Sequence, residues 1–179
     1  MNAEQAKRNK SALDWVESIT YSLIFIVLLF TFLFRITTVS GISMVPTLYD
    51  NDKLFISSLF YTPSRQDIIV VDAYINYGHP LVKRVVGIAG DEIDINFETG
   101  EVFVNGELQD EPYISGPTIQ RYDLTFPLIV PESTVFVMGD NRPLSLDSRS
   151  GAIGFVDVRS ILGKAIWRVY PFTRVERVV

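Results

Sequence analysis

Cysteine is absent from the 179 residues, and histidine occurs once, at His79. The first absence excludes disulfide staples, thiolate metal sites and a cysteine nucleophile, and leaves the redox compartment open. The second leaves a Ser-His-Asp triad or a multi-histidine metal centre resting on one residue. No concentrated basic stripe occurs and the net charge is −5, which argues against nucleic acid as a partner. Internal repeats and low-complexity segments are missing, and only one long apolar run exists. The length suits one compact domain plus an appendage.

That run is "SITYSLIFIVLLFTFLF", Ser18 to Phe34, 17 uncharged residues closed by Arg35. At about 1.5 Å per residue it covers only ~25 Å, short of a ~30 Å hydrocarbon core. Snorkelling by Arg35, or extra turns from "ITTVSG", make up the difference. Three readings compete: a membrane anchor, a signal peptide cut near Val39-Ser40-Gly41, and a buried core helix. Uniform hydrophobicity disfavours the core helix, and a 17-residue leader is long for a secretory signal, so the anchor is preferred. Lys7, Arg8 and Lys10 precede the run. By the positive-inside rule residues 1–17 form a cytoplasmic tail, residues 18–36 a single transmembrane helix, and residues 37–179 an extracytoplasmic domain at the cell membrane.

After Val39 the periodicity changes from helical to two. "DIIVVDAY" (Asp67–Tyr74) and "LVKRVVGIAG" (Leu81–Gly90) are rich in β-branched residues and bounded by turn formers. "DEIDINF" turns Ile93, Ile95 and Phe97 inward and Asp94 and Asn96 outward. In "EVFVNGEL" the pair Asn105-Gly106 signals a hairpin. "TVFVMGD" and "GKAIWRVYPF" supply further strands. The exposed-or-core ambiguity of "LFISSLFY" (Leu54–Tyr61) leans toward a core strand over a segment dipping into the membrane interface. The fold expected is mostly β, an antiparallel domain behind one helix.

"VSGISMVPTL" (Val39–Leu48) follows the apolar run closely and places Ser43 in a stiff turn holding Pro46. Without cysteine, and nearly without histidine, lysine or a carboxylate is the available base for a serine nucleophile. Three lysines follow the run. Lys53 lies in the charged turn "YDNDKL", Lys164 at a strand start, and Lys83 in the middle of "HPLVKRVVGIAG". Alternation puts Leu81, Lys83 and Val85 on one face and Val82, Arg84 and Val86 on the other. Between two aliphatic neighbours a lysine loses hydration, which favours the neutral amine that a base requires. A strand lysine snorkelling to water is the plain alternative. "GISMV" is not the Gly-x-Ser-x-Gly elbow of α/β hydrolases, and no Ser-x-x-Lys occurs. "GDNRPLSLDSRSG" (Gly139–Gly151) carries too few acids for a calcium loop and reads as a surface loop or a buried polar network. No metal or cofactor is expected.

Together "SGISMVPTL", "LVKRVVGIAGD" and "VMGDNRPLSLDSR", in that order behind one apolar run, resemble the boxes of type I signal peptidases. Matches at "VFVNGELQDEPYI" and "KAIWRVYPF" extend the resemblance over most of residues 15–172. The resemblance implies a membrane-anchored serine endopeptidase with a coiled, barrel-like antiparallel β core that removes signal peptides from preproteins. It implies Ser43 as nucleophile, Lys83 as general base, and the Ser43 N–H as an oxyanion donor. Ser145 would orient the Lys83 amine, Asp147 and Arg149 would form an ion pair, and Arg84 would lie near Asp147. Substrate would add as a strand between "VSGI" and "PLVK", touching Gly41 and Ile42, with Met44, Leu48, Leu81 and Val82 lining apolar pockets. Two departures stand out. Gly41 replaces a serine that completes the oxyanion hole in some members, and the stretch 150–153 before Gly154 is longer than usual.

Two other classes fit parts of the pattern. A self-cleaving repressor-type Ser-Lys protease shares the dyad but is soluble and binds DNA, and a catalytically silent anchored β domain would not need the Ser43/Lys83 pair. Activity should therefore survive chelators and thiol reagents. A loss on chelation that returns with added metal in a peptide-cleavage assay would contradict this.

Overall fold

The computed structural model describes residues 3–58, 61–73 and 78–178, with side chains of the first helix described from Leu13 to Leu28. The chain divides into two compact units at Arg35. The first contains α1 (Ala3–Leu33), which no proline or glycine interrupts. Within it the Ser18 and Thr20 hydroxyls donate to the Asp14 and Val16 carbonyls at 2.9 and 2.8 Å. Hydroxyls bonded to the helix backbone in this way cost less in an apolar run than unpaired ones. Among the described residues no helix is long and apolar enough to cross a membrane. The side chains of 29–34, part of the predicted span, lie outside the described residues.

The second unit is mostly β. Its strands, in chain order, are β1 (Phe34–Thr38), β2 (Lys53–Ser57), β3 (Ile68–Val71), β4 (Leu81–Ile88), β5 (Glu92–Asn96), β6 (Glu101–Val104), β7 (Glu107–Leu108), β8 (Leu128–Ile129), β9 (Thr134–Met138), β10 (Val156–Asp157), β11 (Ile161–Tyr170) and β12 (Glu176–Arg177). The larger sheet runs β1-β2-β11-β3-β4-β9-β10, with β12 paired to β11; the smaller runs β7-β6-β5-β8. The registered pairs are all antiparallel. The smaller sheet is thus a single insertion between the neighbours β4 and β9.

Local chemistry explains the elements. All four residues of β3 are buried, because the strand is central and covered on both faces, and its continuous apolar run shows it. The β5 alternation is realised: Ile93 and Ile95 are buried, Asp94 and Asn96 exposed. Asn105 and Gly106 take φ of 54° and 78°, the mirror-image turn geometry that matches strand twist. "LFISSLFY" forms a core strand at its start, with Leu54 and Ile56 buried; residues 59–60, and Tyr74 of the predicted β3 region, lie outside the described residues.

Three apolar clusters fill the unit. One gathers Met44, Leu48, Leu54, Ile68 and Val82. A second joins the two sheets through Val86, Ile93 and Phe136, with edge-to-face contacts linking Phe97, Phe126, Phe136 and Phe155 at 5.6 to 6.2 Å. The third holds Ile69, Val85 and Val137, with Leu81 and Leu146 packed on it. Each fully buried aliphatic or aromatic side chain contributes on the order of 1.5–3 kcal/mol.

The largest fully buried side chains are nonetheless arginines: Arg84, Arg142 and Arg149. Arg142 donates to both Glu111 carboxylate oxygens at 2.7 and 2.6 Å, to the Thr118 hydroxyl at 2.8 Å and to the Gly139 carbonyl at 3.0 Å. It therefore ties the segment leaving the small sheet to the turn after β9. Truncation would strand the Glu111 charge with 6% of its side chain exposed. Arg142→Met should lower the unfolding free energy by about 3–5 kcal/mol in urea denaturation.

Candidate active site

Three chain segments build the site. Ser43 lies in the turn between β1 and β2, closed by Val45 N–H to the Ile42 carbonyl at 3.2 Å and Leu48 N–H to the Met44 carbonyl at 2.8 Å. Lys83 stands in the middle of β4, paired with Ile69 of β3. The loop 139–149 leaves β9, the other neighbour of β4. Sheet topology thus brings residues 40 positions apart together: Lys83 Nζ lies 2.6 Å from Ser43 Oγ.

Lys83 is 2% exposed. Burial pushes its amine down from 10.5 to about 8; the nearby Asp147 and Asp140 carboxylates act against this, and Arg149 adds to it. Desolvation wins because those carboxylates are each spent on an arginine. Asp147 accepts from Arg149 Nε and Nη2 at 2.8 and 2.9 Å and from the Gly139 N–H at 3.0 Å. Asp140 accepts from Arg84 Nε and Nη2 at 2.9 and 2.8 Å, and from the Thr47 hydroxyl. With a pKa of about 8 the neutral amine at pH 7 is about 300-fold more abundant than for a solvated lysine.

The predicted residues fall into place unevenly. Asp147 and Arg149 form a buried ion pair. Arg84 pairs with Asp140, not with Asp147. The reason is register: Arg84 faces Met138 across β4 and β9, on the strand face opposite Lys83, and Asp140 follows Met138 by two residues. The Arg84 guanidinium also lies 3.8 Å from the Tyr113 ring centre. Ser145 is fully buried, and among the described residues its hydroxyl is the one buried side-chain oxygen or nitrogen without a partner. The expected bond from Ser145 to Lys83 is therefore not formed in this structure. Ser145 instead packs on Gly139, where an added Cβ would fall inside contact distance of both Ser145 Oγ and the Ser43 carbonyl. Only glycine fits.

A groove of about 500 Å³ opens over the dyad. Gly41, Ile42 and Ser43 form one wall and Pro80, Leu81 and Lys83 the facing one, with His79, Leu144 and Leu146 at the rim. Of the residues expected to line pockets, Gly41, Ile42 and Leu81 do so. Met44, Leu48 and Val82 do not: they pack into the first apolar cluster. Strand alternation sends Val82 to the face opposite Lys83, and the turn points Met44 and Leu48 inward, each 1% exposed. Leu144, 64% exposed, and Leu146 were not singled out from the sequence, although a bare leucine in a polar loop was visible there. The Gly41 N–H donates to Asp50 Oδ1 at 2.8 Å, so it is committed outside the dyad. The longer stretch 150–153 closes as a turn, with Ile153 N–H on the Ser150 carbonyl and Ile153 buried in the third cluster, away from the groove.

A serine and a desolvated lysine in hydrogen-bond contact beneath an open groove are fit for acyl transfer. The family model described as signal peptidase, peptidase S26, matches residues 12–170. The chain belongs to that family. It is accordingly a serine endopeptidase, a hydrolase. Among curated relatives, signal peptidase I of Bacillus licheniformis is 32% identical over 99% of each chain. Signal peptidase IB of Staphylococcus aureus strain Mu50 is 32% identical over 92% of each. A solved structure of a signal peptidase I from Enterococcus faecalis V583 is 31% identical, covers 58% of this chain and 97% of its own, and aligns with a TM-score of 0.47.

For this family member the pH dependence follows from the lysine. With Lys83 as the base the competent form would be the neutral amine, and kcat/KM should then rise with pH, about tenfold per unit, and level off near pH 8. Initial rates on a fluorogenic peptide between pH 6 and 10 check this; a rate still rising about tenfold per unit from pH 9 to 10 would show that Lys83 is solvated during turnover.

Proposed function

We propose that the chain is a single-pass enzyme of the cell membrane that cleaves N-terminal signal peptides from exported preproteins with a Ser43/Lys83 dyad. Residues 1–17 form the cytoplasmic tail, the apolar stretch from Ser18 to the end of α1 at Leu33 the anchor, and the chain from β1 onward an extracytoplasmic catalytic domain with a barrel-like core. The supporting observation is the 2.6 Å separation of Lys83 Nζ and Ser43 Oγ within a buried, desolvated setting. The uncharged run preceded by Lys7, Arg8 and Lys10 supports the anchor and its orientation.

In this reading neutral Lys83 takes the Ser43 proton as Oγ attacks the scissile carbonyl, and then passes it to the leaving amine. Lys83 next activates the water that hydrolyses the acyl-enzyme, one residue serving as base and acid in turn. The Ser43 N–H, which meets no acceptor among the described residues, donates to the oxyanion. The Asp147–Arg149 and Asp140–Arg84 pairs keep the carboxylates from recapturing the lysine proton. Substrate lies extended between residues 39–42 and 80–83, with Ile42, Leu81, Leu144 and Leu146 limiting side-chain size. Signal peptides and membrane lipid are the partners; metal, cofactor and nucleic acid have no part.

Purified enzyme in detergent should cleave a signal-bearing preprotein. Ser43→Ala and Lys83→Ala should each abolish cleavage while leaving the melting temperature near that of the wild type, and the double variant should be no worse than either. Lys83→Arg should fail as well, because a guanidinium stays protonated. An active Lys83→Arg enzyme would remove the general-base role.

A further inference from the structure

The Ser43 N–H can stabilise an oxyanion only if its peptide plane is held still, and within the turn that plane is held by one bond, the Val45 N–H on the Ile42 carbonyl at 3.2 Å. Gly41, at φ +86°, has open space around it, and Ser43 is partly exposed at the groove. Three hydrogen bonds tie the turn to the loop after β9, two of them from one residue, and Arg168 Nη1 donates to the Thr47 carbonyl at 3.0 Å from β11. Asn141 Nδ2 donates to the Ile42 carbonyl at 3.1 Å, and the Asn141 backbone N–H donates to the Ser43 carbonyl at 3.0 Å. The third is the Thr47 hydroxyl on Asp140, the residue before it.

In a trans peptide the carbonyl of one residue and the N–H of the next point in opposite directions. Pinning the Ile42 oxygen to Asn141 therefore turns the Ser43 N–H to the far side of that plane, away from the 139–149 loop. Pinning the Ser43 oxygen fixes the following plane as well. The asparagine is itself braced. It is 8% exposed, the Ser115 hydroxyl donates to its Oδ1 at 3.1 Å, and the Leu144 and Ser145 N–H groups close on its carbonyl at 3.1 and 2.8 Å. Ser115 is held in turn by its N–H on the Asp140 carbonyl at 3.0 Å.

We infer that Asn141 is a positioning residue for the oxyanion hole: its side-chain amide orients the Ile42–Ser43 peptide so that the Ser43 N–H meets the developing charge, with Ser115 fixing the amide's orientation. The inference rests on the Ser43/Lys83 reading. An aspartate at 141 would keep the acceptor for Ser115 and the backbone bond but lose the donor to Ile42. Such preorganisation acts on the transition state and not on bound substrate, which separates it from a merely structural role.

The test compares a signal-sequence peptide ending in alaninal with the same peptide ending in alaninol. The aldehyde takes up Ser43 Oγ at its carbon, the C=O π pair becomes an oxyanion, and the serine proton passes to Lys83; the alcohol can only occupy the groove. Asn141→Ala and Asn141→Asp should each lower kcat about 10- to 100-fold with KM within about twofold. Aldehyde affinity should fall by a similar factor and alcohol affinity should hold. Ser115→Ala should shift the same readouts by a smaller factor, and serves where an Asn141 variant fails to fold. Aldehyde and alcohol affinities falling together, or kcat unchanged in the variants that fold, would overturn the inference. A Ser43→Ala enzyme that bound the aldehyde as tightly as the wild type would instead overturn the dyad reading, and the clamp with it.

Discussion

The arrangement of the site turns on one fact: the Lys83 amine is buried, and the aspartates near it are paired with arginines. A lysine held at a pKa of about 8 instead of 10.5 destabilises the fold by roughly 3 kcal/mol at neutral pH. The sign is set by protonation. Below pH 8 the folded state must either bury a charge or give up a proton the unfolded chain would keep, and the penalty fades as pH rises toward 10.5. The three apolar clusters carry that cost, and the third of them, with Leu81 and Val85 on either side of Lys83 in sequence, also creates it.

The buried arginines belong to that arrangement. Two aspartates close enough to act on Lys83 would raise its pKa if left alone. Each is instead bound by two nitrogens of a guanidinium that cannot release its proton, Asp147 by Arg149 and Asp140 by Arg84. Fully paired, these groups also satisfy backbone in the 139–149 loop, where Arg149 Nη2 donates to the Arg142 and Ser145 carbonyls at 2.8 and 3.1 Å. A loop rich in charge becomes a rigid wall. Function and stability are joined there, since a substitution that frees one carboxylate disturbs both the loop and the lysine.

β4 shows how one strand serves two purposes. Its alternation presents Lys83 to Ser43 on one face and Arg84 to Asp140 on the other, and Asp140 in turn holds Thr47 of the turn that carries Ser43. The neighbouring Asn141 bonds to Ile42 and Ser43, so the loop after β9 sets carboxylates near Lys83 and ties down the Ser43 turn.

Much of this was legible in the residues. β-branched runs bounded by turn formers located β3 and β4, alternation located β5, and Asn105-Gly106 located the β6–β7 hairpin. The want of cysteine, and near want of histidine, narrowed the bases to lysine and carboxylate, and the aliphatic neighbours of Lys83 marked it as the desolvated one. Partners were another matter. Arg84 was expected beside Asp147 and lies on Asp140, and Met44, Leu48 and Val82 were expected in the groove and lie in the core. Those outcomes depend on the register of β4 against β9 and on which way a turn faces, and no local pattern records either. Which residues carry chemistry was set by type and spacing within short segments; which of them meet was decided by long-range strand pairing, a property of the packed sheet and not of any segment in it.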